Sequence, residues 1–83
     1  MANTVTRKVW LTFPAAKTKE AIICDMYDKF KVRFNIRQAS VTKEVGVIAL
    51  ELEGSPEKID QALDYFKSRG LTVEPVELDV VEG

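Results

Sequence analysis

The chain has no histidine, and Cys24 is its one cysteine in 83 residues. Structural zinc draws its ligands mostly from Cys and His, and an iron–sulfur cluster takes about four thiolates. The sequence therefore predicts no metal site and no cofactor. The Ser–His and Cys–His nucleophile pairs are missing for the same reason, and no G-x-x-x-x-G-K-[ST] phosphate loop occurs. The expectation is a protein that is not an enzyme. No stretch approaches the roughly 20 apolar residues of a membrane span, and the Arg7-Lys8 pair has no secretory apolar region behind it. A cytoplasmic protein without membrane insertion is expected. An excess of either charge is also lacking, since 12 basic residues face 13 acidic ones. A nucleic-acid surface normally shows a basic surplus, so no nucleic-acid partner is expected.

What is present suits one small globular domain, 46% apolar and 30% charged. It spans residues 1–83, with a core of about 5–76 and an acidic tail at 77–83. Val5, Val9, Leu11 and Phe13 alternate with Thr6, Lys8, Trp10 and Thr12, which reads as a strand closed by Pro14. From Thr18, a plausible N-cap, Ile22, Ile23, Met26, Tyr27 and Phe30 form the stripe of an amphipathic helix ending near Lys31. Phe34 to Thr42 and Val45 to Glu53 read as a hairpin joined at Lys43-Glu44. Ser55-Pro56-Glu57 opens a second helix, with Ser55 as cap and Pro56 at the first position. Ile59, Ala62, Leu63 and Phe66 supply its apolar face, and Gly70 stops it. Leu71 to Val76 is a last strand, marked by Pro75 as an edge or strand end.

The order β-α-β-β-α-β predicts an α+β, ferredoxin-like sandwich, with two helices on one face of a four-stranded antiparallel sheet. Nothing predicted covers the other face. It should carry Trp10 with Val47 and Ala49, and strand two adds either Asn35, Arg37, Ala39 and Val41 or the alternate set, according to register. Trp10, Val47, Ala49 and Val41 are thus the candidate interface, and a homodimer is expected because tryptophan is enriched at binding hot spots. A Trp10 ring lying flat over its neighbours in a monomer is the alternative. Cys24 reads as a buried, inert residue, and Asp25 and Asp28 as a solvated helix face. Lys17, Lys19, Lys29, Lys31 and Arg33 form a basic cluster able to meet an acidic protein surface.

The segment Phe34-Asn35-Ile36-Arg37-Gln38-Ala39-Ser40-Val41, followed by Gly46-Val47-Ile48-Ala49-Leu50-Glu51-Leu52-Glu53-Gly54, resembles the NIL domain family. So does the Ile59–Phe66 helix with its Gly70-Leu71-Thr72-Val73-Glu74 exit. The resemblance implies a domain like the regulatory C-terminal part of methionine-importing ABC transporter ATPases, related in shape to amino-acid-sensing ACT domains and paired with a second copy. It further implies an amino-acid ligand, methionine first, at the paired interface. Phe34, Asn35, Ile36 and Arg37 become the candidate ligand residues, with Asn35 as polar contact and Phe34 and Ile36 as apolar walls. Arg37 stands where the family motif has leucine, and its guanidinium suits a ligand carboxylate or an acidic partner. The regulated partner is then a different polypeptide. A ligand-free adaptor is the competing reading, and Arg37 discriminates between the two: a pocket favours the ligand, open surface the adaptor.

Overall fold

Alternation on the strands and the stripes on the helices meet in one core, as a computed structural model describing residues 4–76 shows. The elements are β1 (Val5–Pro14), a 3-10 turn (Ala15–Lys17), α1 (Ile22–Phe30), β2 (Arg33–Val41), β3 (Val45–Gly54), α2 (Pro56–Ser68) and β4 (Thr72–Pro75). The strands form one antiparallel sheet in the order β2-β3-β1-β4, the α+β, ferredoxin-like βαββαβ arrangement. Val9 and Leu11 of β1 and Leu50 and Leu52 of β3 pack with Ile22 and Met26 of α1 and Ile59, Ala62 and Phe66 of α2, all buried. Each of these side chains larger than alanine stabilises by about 1.5–3 kcal/mol on burial, so the two central strands and two helices carry the fold.

The helix ends are built differently. Ser55 Oγ accepts the Lys58 N–H at 3.2 Å, and Pro56 occupies the first turn. At the far end Gly70 takes φ 92°. Its N–H reaches the Lys67 carbonyl, and that of Leu71 reaches Phe66, the paired bonds of a Schellman motif. α1 stops without glycine: Lys31 adopts φ 56° and its N–H donates to the Tyr27 carbonyl.

Thr18 does not cap α1. Its hydroxyl donates to the Ala15 carbonyl at 3.1 Å and closes the 3-10 turn, so the helix begins only at Ile22, with Ala21 at the N-cap and no side-chain cap. The first-turn N–H groups of α1 thus lack the side-chain acceptor that α2 has.

β2 and β4 are the sheet edges. β4 ends at Pro75, as proline at an edge should, and the Val76 N–H still reaches the Lys8 carbonyl. Every residue of β2 is exposed. Its hairpin to β3 is held by Thr42 Oγ1, which accepts the N–H groups of Glu44 and Val45 at 3.1 Å each. The acidic tail at 77–83 lies outside the described residues. Among the described residues no helix is long and apolar enough to cross a membrane.

Candidate functional site

Register decides which side chains share a face. β1 and β3 pair so that Thr6, Lys8, Trp10 and Thr12 lie beside Glu53, Glu51, Ala49 and Val47 on the face away from the helices. On β2 the register shifts between Ile36 and Gln38, a bulge at Arg37. Asn35 lies opposite Glu51 and therefore on the open face, followed after the bulge by Gln38 and Ser40. Phe34 and Ile36, opposite Leu52 and Leu50, and then Ala39 and Val41, opposite Ile48 and Gly46, turn to the helix side. The bulge thus takes one half of β2 from each of the two registers the alternation allowed.

The consequence is a split of both candidate groups. Trp10, Val47 and Ala49 share the open face, with Trp10 and Val47 half-buried and Ala49 buried, whereas Val41 sits on the opposite face at the end of the sheet. The expected four-residue patch is corrected to three residues by the bulge. Likewise Asn35 and Arg37 are separated from Phe34 and Ile36 by the thickness of the strand. Arg37 is 55% exposed and lies 3.7 Å from Glu51. Asn35 borders a polar recess of about 440 Å³ with Thr6, Arg33, Phe34, Glu51 and Glu53. Trp10 borders a smaller recess of about 160 Å³ with Lys8, Arg37 and Val76.

The apolar hollow is elsewhere. A cavity of about 200 Å³ opens where the start of α1 faces the hairpin end of β2 and β3. Phe13, Ile22, Ile23, Val41, Gly46 and Ile48 line it, with Thr18, Glu20 and Cys24 beside them. The size is below the roughly 300 Å³ of a drug-sized pocket, so it matches one amino-acid side chain better than a large cofactor. Cys24 is exposed here rather than buried: two residues past Ile22, it faces about 200° away from the stripe that Ile22 and Met26 bury. Gly46 is what keeps the hollow open. A Cβ there would sit 3.5 Å from Phe13 and 3.6 Å from Thr18 and Val41.

The cavity shares Val41 with the exposed β2 edge. Phe34, Ile36 and Val41 are 38%, 48% and 59% exposed on the helix side of that strand, and Phe34 meets the Tyr27 ring edge-on at 6.3 Å. A long edge with a row of exposed apolar side chains is a template for strand pairing.

Residues 7–75 of this fold match the NIL domain. The chain belongs to the NIL domain family. It is 31% identical over 70 residues to the methionine import ATP-binding protein MetN of Geobacillus kaustophilus (strain HTA426), a match covering 80% of this chain and 20% of that protein. The chain therefore spans about a fifth of that relative's length. A crystal structure of the C-terminal domain of an ABC transporter/ATP-binding protein from Enterococcus faecalis shares the fold, with a TM-score of 0.75 at 19% identity, over 88% of this chain and 86% of that one.

In this NIL domain the motif residues Asn35 and Ile36 are neighbours on an unpaired edge, and they face opposite sides of it. Sequence reasoning takes Ile22 and Ile23 of the cavity as core stripe and misses the rest of its 18–24 lining, because Thr18, Glu20, Ala21 and a lone cysteine in the first turn of α1 carry no periodic signal. Gly46 offered the one cue. A glycine inside a strand marks a close approach or a ligand, and here it reads equally well as part of the turn. The basic cluster is largely answered by local partners, Lys17 by Glu20, Lys31 by Asp28 and Arg33 by Glu53. Asp25 is engaged by Arg69 rather than simply solvated. Among the described residues no group of His, Cys, Asp and Glu is arranged to hold a metal ion.

Proposed function

We propose that this NIL domain is a regulatory domain that pairs with a second copy along β2 and holds an amino acid, L-methionine first, in the cavity beside that edge. The observation that carries the reading is Val41, which lines the apolar cavity and also stands on the β2 edge that exposes Phe34 and Ile36. The family match supports a regulatory domain, and the methionine import function of the ATP-binding relative suggests the ligand.

Strand geometry links the two features. Antiparallel pairing of two β2 strands, with both helix layers on the same side, sets the Phe34 end of one strand beside the Val41 end of the other. Phe34 and Ile36 of the second copy then close over the cavity mouth, and each copy's site is completed by the other. The thioether chain fills the apolar hollow. The ligand carboxylate lies toward the uncapped start of α1, where free N–H groups and the helix dipole favour an anion. Asn35 and Arg37 belong to the opposite side of the same interface, where Arg37 meets Glu51.

A thermal-shift titration with free amino acids tests the reading. At one hundred times its dissociation constant a ligand of the folded state stabilises by about 2.7 kcal/mol. A domain of this size moves roughly 4–8 °C per kcal/mol. L-methionine should raise the midpoint by that order, and a flat response to every amino acid would overturn the ligand claim. The exposed Arg37 on the open face favours a second reading, a ligand-free adaptor that docks through Trp10 and the charged groups around it. That reading predicts a Trp10→Ala variant with lost partner binding and no response to amino acids.

A further inference from the structure

Glu20 is the charged side chain on the cavity wall, and what holds it reaches in from the other helix. The wall itself is weakly built. The 3-10 turn is three residues long, α1 starts without a side-chain cap, and Ala21 between them is exposed. Across from it lies Arg69, the C-cap of α2. Its Nη2 donates to Glu20 Oε1 at 3.0 Å, and its Nη1 donates to Asp25 Oδ2 at 2.9 Å and to the Tyr65 hydroxyl. The guanidinium also stands 5.5 Å over the Tyr65 ring. Lys17 completes the cluster, with Nζ 3.6 Å from Glu20 Oε2 and its stem beside Gly70, where a Cβ would stand 3.3 Å from Lys17 Cε.

We propose that Arg69 is a positioning residue for the cavity, clamping Glu20 before α1 and Asp25 within α1 to the end of α2, so that the wall is shaped before a ligand arrives. The inference rests on reading the cavity as an amino-acid site. The guanidinium's rigid fork presents separate N–H donors to two carboxylates on different stretches of chain, a geometry that a lysine ammonium, a point charge on a flexible stem, fixes less well. Isolated surface ion pairs contribute little. This side chain is half-buried and bonded to three residues, so its effect is on geometry: it reduces the freedom the wall would otherwise lose on binding. By linkage, a ligand that tightens the wall also steadies the end of α2.

Hydrogen exchange on the ligand-free parent, Arg69→Ala and Arg69→Lys tests the clamp first. Amides of residues 18–25 should exchange roughly three- to thirtyfold faster in Arg69→Ala, with those of β1 and β3 unchanged and Arg69→Lys between. Equal rates in that segment overturn the proposal. L-methionine titration follows, with Asp60→Asn as control, since that residue pairs with Arg7 on an exposed surface. Affinity should fall by a similar factor in Arg69→Ala, recover in part in Arg69→Lys and stay unchanged in Asp60→Asn. Faster exchange with parental affinity also overturns it, because the clamp would then be structural only. If the parent does not bind L-methionine the amino-acid reading fails, and the exchange rates still decide whether Arg69 holds the wall. Should Arg69→Ala not fold, Glu20→Gln and Arg69→Lys carry both measurements.

Discussion

Glu20 and Gly46 stand on the same cavity, and each makes a separable prediction. The hydrogen bond from Arg69 holds the Glu20 carboxyl below the usual carboxylate range, helped by Lys17. Bonds to Asp25, Glu20 and Tyr65 push the guanidinium in turn upward. A depressed carboxylate contributes stability above its unfolded pKa and loses it as pH falls through the folded value. Glu20→Gln should therefore be less stable than the parent at pH 7, and the gap should close on acidification below the ordinary carboxylate range. Urea midpoints at pH 7 and near pH 3 check this, and a gap of equal size at both would contradict it. Gly46→Ala adds a methyl at ordinary contact distance from Phe13, Thr18 and Val41, so the fold should persist. The cavity narrows, and L-methionine affinity should fall about tenfold or more, the discrimination one methylene commands in an apolar pocket. Calorimetric titration of the two proteins measures it.

Among the elements, β2 joins the fold to the proposed partner. Its residues are exposed although three of them, Phe34, Ile36 and Val41, are large and apolar. A Phe34→Lys, Ile36→Lys double variant should fold, since neither side chain is buried, and should sediment as a monomer at concentrations where the parent pairs. A variant that still pairs would move the interface off this edge. The same strand shows where sequence reading stops. The alternation of β1 and β3 and the stripes of both helices were legible because a half-buried element repeats its apolar positions with its own period. Ser55, Pro56 and Gly70 were legible because caps use few residue types. The Arg37 bulge was not: one extra residue leaves no mark on composition, yet it turns Ala39 and Val41 away from Trp10 and puts Gln38 and Ser40 on the open face with Asn35. Nor was the late start of α1, where Thr18 looks like a cap and closes a 3-10 turn instead. The left-handed stop at Lys31 lacks the usual glycine, and only the failing apolar stripe signalled it.

At the scale of the whole molecule, two helices and one sheet face make a two-layer domain, 17 Å in its shortest dimension. Its core is sealed toward the helices and unsealed along β2. Both the edge and the cavity are completed by a second copy in the proposed assembly, so ligand binding and pairing are one linked equilibrium. Sedimentation velocity of the parent, with and without saturating L-methionine, over a range of protein concentrations, reads that linkage directly. The expected result is a dimer whose dissociation shifts to lower protein concentration when methionine is present. A monomer that stays a monomer in saturating methionine, or a dimer whose stability methionine leaves unchanged, would contradict it.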